Sequence, residues 1–143
     1  MTSNTDKKVA LVTGATSPIG SAIAKRLHSD NYQLVLAVNS SSKQGAELAE
    51  QLDAVVIAAD LSDPEGPESL VGDALERAGG IDALVNNAAC QKLEDWSTID
   101  SDKWDEMLDV NLRAAQLLMN TVSDHMVSEQ KAGAIVNISS IEA

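Results

Sequence analysis

The chain of 143 residues is the size of one domain, and a hydrophobic content of 44% excludes a disordered polar chain. Aromatic residues make up only 2% and Phe is absent, so the core must be aliphatic, which favours parallel strands covered by helices. With a net charge of −12 we expect neither nucleic acid nor a membrane as a partner, although backbone N–H groups can still bind a small anion.

Cysteine and histidine are too few for a metal centre. Cys90 is the only cysteine, which also excludes an internal disulfide, and neither His28 nor His125 has a second ligand at suitable spacing. The N-terminal MTSNTDKK is polar and lacks the apolar segment of a signal peptide, and no run approaches ~18 apolar residues. We therefore expect a cytoplasmic protein whose residues 1–7 form a disordered tail.

Strand and helix signals alternate from the start of the chain. VALVTG (9–14) is a short apolar run that closes on glycine, which predicts a strand buried on both faces. Ile19, Ile23 and Leu27 then recur every four residues and predict an amphipathic helix. QLVLAV (33–38) predicts a second buried strand.

The next segments repeat this alternation. KQGAELAEQL (43–52) predicts a short helix with one apolar side, formed by Ala46, Ala49 and Leu52, and AVVIAAD (54–60) predicts a third strand. The segment 62–80 opens with Ser-Asp-Pro, a cap followed by proline, and closes on Gly-Gly, which are helix start and stop signals. IDALVNNA (81–88) predicts a fourth strand.

A long helix and a last strand complete the pattern. The helix is expected from about Ser101 to about Val127, and its apolar stripe is Trp104, Leu108, Ala115, Leu118, Val122 and Met126. GAIVNIS (133–139) predicts a fifth strand, which we expect to be buried. Alternating strands and helices predict an α/β domain, a doubly wound parallel sheet of about five strands with helices on both faces.

Ligands of such sheets bind at the carboxyl ends of the strands. In TGATSPIG (13–20), Gly14 permits a tight turn, Gly20 permits close helix packing, and the helix N-terminus between them suits a pyrophosphate. Pro18 is well placed to start the helix but removes one N–H donor. An ordinary strand-to-helix turn can contain the same two glycines. The motif alone therefore leaves open whether this turn binds a pyrophosphate or only connects the strand to the helix.

Three further positions carry polar side chains at this edge. Asp60 is either a contact for the adenine edge of a nucleotide or a helix cap. NNAA (86–89) either satisfies loop backbone with its amides or lies along a cofactor. Asn111 falls on the predicted buried stripe of the long helix, where a satisfied core amide is the simpler interpretation.

In this order the motifs resemble the short-chain dehydrogenase/reductase family, classical type. The matching segments are TGATSPIG, ADL (59–61), NNAA, DVNL (109–112) and IVNISS (135–140), and the likeness runs from about Lys8 to Ala143. The resemblance implies a single Rossmann-type domain over residues 1–143, incomplete at its C-terminal side. It also implies NAD(P)(H)-dependent hydride transfer between a small carbonyl compound and an alcohol, and a homo-oligomer.

The resemblance implies roles for individual residues. Those expected to bind the cofactor are Gly14, Thr16, Ser17, Ile19 and Gly20 around the pyrophosphate, Asn39 and Ser40 after the second strand, Asp60 and Leu61 at adenine, and Asn87, Ala88 and Ala89 on the ribose side. Asn111 matches the family's catalytic Asn, whose backbone holds a proton-relay water, and Ser140 matches the catalytic serine that hydrogen-bonds the substrate oxygen. Pro18 and Ala89 stand where the family usually has glycine.

The residues after the second strand bear on the choice of cofactor. A carboxylate there would bind the ribose hydroxyls and repel a 2′-phosphate. The segment is VNSSSK (38–43), with hydroxyl groups, one cation and no carboxylate. We therefore expect NADP(H) to be favoured over NAD(H).

The family's chemistry also needs a Tyr as general acid/base with a Lys four residues later. The single tyrosine, Tyr32, is followed four residues on by Leu36, and only residues 141–143 come after Ser140. We therefore expect the N-terminal part of an NADP(H)-dependent reductase, with little or no dehydrogenase activity of its own. A nucleotide-binding module without redox chemistry, and an interaction protein that associates through its uncovered final strand, are the alternatives.

Overall fold

A computed structural model describes residues 7–91, 95 and 97–140. Its strands are β1 Val9–Thr13, β2 Gln33–Val38, β3 Val55–Ala58, β4 Ala83–Asn86 and β5 Ala134–Asn137. They form one parallel sheet in the order β3-β2-β1-β4-β5. The predicted doubly wound α/β sheet is therefore confirmed, whereas the predicted tail falls almost wholly on residues 1–6, outside the described part of the chain.

The helices connect successive strands. They are α1 Pro18–Ser29, α2 Lys43–Gln51, α3 Gly66–Ala78, α4 Ser101–Leu108 and α5 Ala115–Ser128. A π-helical segment, Asp109–Ala114, joins α4 to α5 without a break and is called the π segment below. No helix in the described residues is long and apolar enough to cross a membrane.

Alternation along each strand sends neighbouring side chains to opposite faces of the sheet. The face covered by α3 and α5 is formed by Val9, Leu11, Val35, Ala37, Ile57 and Leu84. The face covered by α1 and α2 is formed by Ala10, Val12, Leu34, Leu36, Ala83 and Val85. Both faces are apolar because both are covered, which is why the strands read as unbroken apolar runs in the sequence.

Two predicted helix faces are partly wrong, because each of the two helices buries a glycine that the predicted face leaves out. Ile23 and Leu27 pack against the core as predicted. Ile19, however, is 57% exposed, and Gly20 and Ala24 are buried instead. In α2, Ala46 is exposed, and Gly45 and Leu48 are buried in its place. A spacing rule that counts only large apolar residues cannot detect a glycine contact.

The predicted start of the third helix is also wrong. Two carboxylates each bind a backbone N–H two residues later in the chain. Asp60 Oδ1 accepts from the N–H of Ser62 at 2.9 Å, and Asp63 Oδ1 accepts from the N–H of Glu65 at 2.9 Å. These side-chain turns compete with helix formation, so α3 begins only at Gly66. Its predicted end is confirmed, since Gly79 closes it in the left-handed conformation, with φ of 81°.

The long helix is continuous over 101–128, but its predicted apolar stripe fails in the first half. Trp104 is 56% exposed and Leu108 is 43% exposed, whereas Ala114, Leu118, Val122 and Met126 are buried. A π-helical turn contains an extra residue, so the π segment rotates everything that precedes it around the helix axis. Residues 104–111 therefore do not share the face of residues 115–126.

β5 is exposed, which contradicts the expectation of a buried fifth strand. It pairs with β4 alone among the described residues, in the register Ala83 to Ala134 through Asn86 to Asn137. Val136 is 48% exposed and Ile138 is 41% exposed. Its apolar sequence is that of an interior strand, whereas its position is that of an edge strand.

Candidate nucleotide site at the carboxyl edge of the sheet

The chain adds strands on one side of β1 up to β3 and then on the other side from β4 onward, so the strand order reverses at β1. After β3 it returns past β1 to form β4, so the loops after β1 and β4 lie side by side at the carboxyl edge. This is the switch point at which open α/β sheets form a ligand crevice. The residues predicted to bind a cofactor all lie at this edge, following β1, β2, β3 and β4.

The loop after β1 requires both of its glycines. Gly14 has φ of 60°, and a Cβ atom there would lie 2.9 Å from Cα of Ala88 in the loop after β4. A Cβ atom on Gly20 would lie 2.2 Å from the carbonyl oxygen of Gly14, closer than real Cβ contacts allow. The first glycine therefore permits the two loops to touch, and the second permits α1 to start directly against the turn.

The cap residue Ser17 binds two backbone donors at the N-terminus of α1. The Oγ of Ser17 accepts from the N–H of Gly20 at 3.0 Å, and its carbonyl oxygen accepts from the N–H of Ser21 at 2.8 Å. Pro18, at the first helical position, has no N–H. The backbone N–H of Ile19 is thus the donor that this first turn offers to an anion.

Thr13 connects the two central loops, a role that the sequence analysis did not assign. Its hydroxyl group is buried, donates to the carbonyl oxygen of Val85 at 3.3 Å, and accepts from the N–H groups of Asn87 and Ala88, each at 3.0 Å. A polar residue at the end of an otherwise apolar strand is the signal that could have identified it.

Asn87 ties the same loops together with its side chain. Its Nδ2 donates to the carbonyl oxygens of Thr13 and Gly14, both at 3.0 Å, and lies 3.1 Å from the Oγ of Ser17. The amide predicted to line the ribose side therefore serves the glycine loop. Of the next two residues, Ala88 is half-buried and packs against the core, whereas Ala89 is exposed.

Asn86 joins β4 to β5. Its Nδ2 donates to the Oδ1 of Asn137 at 2.9 Å, directly across the strand pair, and Ile138 N–H donates to the carbonyl oxygen of Asn86 at 2.9 Å. The side chain of Asn86 is buried. This pair fixes the end of β5 from which Ser139 and Ser140 continue, both of them exposed.

Asn111 lies in the π segment and is exposed, so its predicted place on a buried stripe is wrong. Its Oδ1 accepts from the N–H of Cys90 at 2.7 Å, and its Nδ2 donates to the carbonyl oxygen of Cys90 at 2.8 Å. The extra residue of the π turn turns Asn111 away from the core and toward the loop after β4. The long helix is thereby attached to that loop.

Asp60 is exposed at the tip of β3 and bonded to its own turn. Its Oδ1 accepts from the hydroxyl group of Ser62 at 2.6 Å as well as from the N–H of Ser62. These bonds, with the hydroxyl contributing most, lower the pKa of Asp60, because they favour the carboxylate. The side chain of Leu61 is buried in the core.

The segment after β2 is exposed from Asn39 to Lys43 and contains no carboxylate. Ser42 caps α2 by accepting from the N–H of Gly45 at 3.1 Å. Gln44 Nε2 donates to the carbonyl oxygen of Thr16 at 2.9 Å, which holds α2 against the glycine loop. The cation of Lys43 lies 3.4 Å from Glu47, so its charge is partly compensated. Asn39 and Ser40 remain accessible to a ligand.

No group of three or more metal-ligating side chains converges within residues 7–91, 95 and 97–140. The donors at the carboxyl edge are backbone N–H groups, hydroxyl groups and amides. Together with the two glycine contacts, this donor set fits the phosphates and riboses of a dinucleotide better than it fits a cation.

Residues 8–143 match the family model described as short chain dehydrogenase. The chain belongs to this family. Among curated relatives, it is 37% identical over 147 residues to an uncharacterized oxidoreductase of Staphylococcus aureus, an alignment that covers 99% of this chain and 61% of the relative. The chain therefore spans less than two thirds of that relative's length.

Solved short-chain dehydrogenase structures have the same fold. One is a metagenomic short-chain oxidoreductase in complex with NADP, with a TM-score of 0.85 and 32% identity, covering 93% of this chain and 62% of that one. Another is described as an NADH-dependent reductase responsible for alginate metabolism, with a TM-score of 0.85 and 26% identity, covering 94% of this chain and 59% of that one. Family membership and the Rossmann-type fold are thus both established for this chain.

Proposed function

We propose that this chain binds NADP(H) at the carboxyl edge of its sheet, as the N-terminal part of an oxidoreductase that transfers hydride between a small carbonyl compound and an alcohol. The contact between Gly14 and Ala88 carries the proposal, because a side chain at Gly14 would separate the two loops that form the crevice. The pyrophosphate would lie at the first turn of α1, near Thr16, Ser17 and Ile19. The Asp60 carboxylate and the backbone N–H of Leu61 would lie at adenine.

The preference for NADP(H) rests on the segment after β2. Asn39 and Ser40 are exposed and offer hydrogen bonds without the negative charge that would repel a 2′-phosphate. Lys43 adds little, since it is paired with Glu47. The solved relatives support binding of nicotinamide dinucleotides but divide on the choice, as one is complexed with NADP and another is described as NADH-dependent.

When bound, the dinucleotide would supply the hydride, and this chain's residues would orient it. We assign Asn111 and Ser140 the roles implied by the family, a backbone carbonyl that holds a proton-relay water and a hydroxyl group that hydrogen-bonds the substrate oxygen. The 143 residues contain no Tyr-x-x-x-Lys sequence, since Tyr32 is the single tyrosine. We therefore expect cofactor binding by this chain with little or no turnover.

A titration with NADPH and NADH tests the proposal. We expect tighter binding of NADPH, and we expect Ser40→Asp to reverse the preference by about tenfold or more, because it places a carboxylate where the 2′-phosphate would lie. Ser29→Asp is the matched control, since Ser29 lies at the far end of α1 and the same charge is added there. Tighter NADH binding by the unchanged chain, or equal effects of both variants, would contradict the cofactor assignment.

Enzyme activity and assembly need separate measurements. NADPH oxidation with a panel of carbonyl compounds should stay at the level of the blank, and robust turnover would refute the assignment of a non-catalytic part.

The exposed edge strand β5, with Val136 and Ile138, favours association with another chain, and we propose a homo-oligomer. Light scattering over a range of concentrations tests this. A cytoplasmic location and the absence of nucleic-acid partners stay predictions from composition.

A further inference from the structure

Arg113 joins two parts of the candidate site that are distant in sequence. Its Nη2 donates to the carbonyl oxygen of Ser62 at 2.7 Å, and its Nη1 forms an ion pair with Asp109 Oδ1 at 2.7 Å. Asp109 and Arg113 both lie in the π segment, which also carries Asn111. One guanidinium therefore connects the turn after β3 to the segment that holds the loop after β4.

We propose that Arg113 is a positioning residue for the adenosine half of the dinucleotide. The inference rests on the proposed function, since Asp60 is placed at adenine there. Ser62 is held on one side by Asp60, through its N–H and its hydroxyl group, and on the other by Arg113, through its carbonyl oxygen. Removing Arg113 breaks the bond to the carbonyl oxygen of Ser62. The Asp60 carboxylate, which is bonded to Ser62, then loses its fixed direction.

The geometry requires an arginine at this position. Two separate nitrogens of one planar group bind Ser62 and Asp109 simultaneously, which a single ammonium group cannot reproduce with the same directions. The Nε of Arg113 is buried and has no hydrogen-bond partner in the described part of the chain. An unpaired buried donor is unfavourable, so the two contacts of this arginine come at a cost that a lysine would avoid.

The π segment thus contacts both ends of the crevice. Asn111 binds the backbone of Cys90 in the loop after β4, and Arg113 binds the backbone of Ser62 in the turn after β3. An ordinary α-helical turn would give these two side chains different directions, because a π turn contains an extra residue and so rotates the chain by a smaller angle per residue. The position of the adenosine contact is in this way coupled to the helix that carries the family's catalytic asparagine.

The test separates the two halves of the cofactor. In Arg113→Met, binding of adenosine 2′,5′-bisphosphate should weaken by about fivefold to tenfold, as expected for the indirect loss of one charged contact, while binding of reduced nicotinamide mononucleotide should change by less than about twofold. Arg113→Lys should restore part of the bisphosphate affinity. Thermal unfolding of each variant establishes that it is folded at the titration temperature.

Arg77→Met is the matched control. Arg77 also donates from its guanidinium to a backbone carbonyl oxygen, that of Val56 at 2.9 Å, and it lies near the C-terminus of α3, away from the carboxyl edge. Equal losses for both half-ligands in Arg113→Met, no loss for either, or the same loss in Arg77→Met would overturn the inference. Failure of the unchanged chain to bind NADPH would instead overturn the proposed function, and the inference with it.

Discussion

The side chain of Asn111 and the backbone of Cys90 form a reciprocal pair of hydrogen bonds, 2.7 and 2.8 Å long. The amide uses its acceptor and its donor on the same residue, as a neighbouring strand would. This pairing attaches the π segment to the loop after β4 at a point one residue beyond Ala89. It accounts for an asparagine in the middle of a long helix, where its intrinsic propensity is unfavourable.

Asn111→Asp tests this attachment. The substitution keeps the acceptor but replaces the donor by a carboxylate oxygen that faces the carbonyl oxygen of Cys90. We expect a loss of about 1 kcal/mol in the free energy of unfolding, the usual net value of one hydrogen bond, with electrostatic repulsion adding to it. Urea unfolding monitored by circular dichroism measures the change.

Asn120→Asp is the control for that exchange. Asn120 is an exposed residue of α5 whose Oδ1 accepts from Gln116 at 2.8 Å, so a carboxylate can replace it without losing this contact. We expect a change within about 0.5 kcal/mol, as for surface substitutions in general. Equal stabilities of the two variants would show that the bond from Asn111 to the Cys90 carbonyl contributes nothing.

Gly20→Ala tests the packing of α1 against the glycine loop. The new Cβ would lie 2.2 Å from the carbonyl oxygen of Gly14, a backbone atom that cannot rotate away. We expect destabilisation by about 2 kcal/mol or more, within the range for overpacked positions. Thermal or urea unfolding gives the value, and cofactor affinity should fall as the loop shifts.

Gly72→Ala gives the opposite expectation. Gly72 lies inside α3, and nothing lies within 4 Å of the position that its Cβ would occupy. Alanine there should stabilise the chain by about 0.5–1 kcal/mol, because it favours the helix over the unfolded state. A Gly20→Ala variant as stable as Gly72→Ala would refute the close contact at Gly14.

The strands were predictable because each one corresponds to a short, continuous segment of apolar residues in the sequence. A strand buried on both faces must be apolar at every position, so β1, β2 and β4 stand out as short runs that end in glycine or asparagine. The contact face of α1 was not predictable in the same way. This face depends on Gly20, which fits against the turn only because it has no side chain. Ile19 was wrongly placed in the core as a result.

The candidate site was predictable in its residues but not in their contacts. Asn87 and Asn111 follow from the motifs, whereas their attachment to the glycine loop and to Cys90 depends on distances between loops that no local pattern records. The π segment was missed because Trp104 and Leu108 continue the apolar spacing of the helix, although they are 56% and 43% exposed. Apolar spacing identified a helix there and misassigned its buried face.

The pKa of Asp60 gives a prediction for the acid range. Hydrogen bonds from the Ser62 hydroxyl group and N–H lower the pKa of this carboxyl group below its ordinary value of 3.8. The carboxylate therefore stabilises the fold fully above the ordinary pKa, and this contribution is lost as the pH falls through the lowered pKa. Because Asp60 is exposed, we expect only a few tenths of a kcal/mol.

Two variants test whether the pKa of Asp60 is lowered in the folded chain. In Asp60→Asn the free energy of unfolding should lose this part of its dependence on pH below about 4, since the amide does not titrate. Ser62→Ala removes the hydroxyl donor and retains the N–H, so the pKa of Asp60, followed by NMR titration, should move part of the way back to 3.8. An Asp60 pKa that rises above 3.8 in the unchanged chain would reverse the prediction.

We expect Pro18 to lower the affinity of the proposed site for a dinucleotide, because proline removes an N–H group from the first turn of α1. The donors of Gly20 and Ser21 are already bound to Ser17, so the loss falls on a small remaining set. In Pro18→Gly and Pro18→Ala the missing N–H returns, and NADPH affinity should rise by up to about tenfold, which is close to the lower value for one added hydrogen bond to a charged group.

The two substitutions at Pro18 differ in what they add besides the donor. Glycine also increases the flexibility of the turn, whereas alanine keeps the helical preference of the position. If the N–H group is responsible, both variants bind NADPH more tightly, with alanine the better of the two, and neither changes the preference for NADPH over NADH. Unchanged affinity in both would mean that the phosphates bind elsewhere along the loop, because a restored donor at the first turn would then be irrelevant to them.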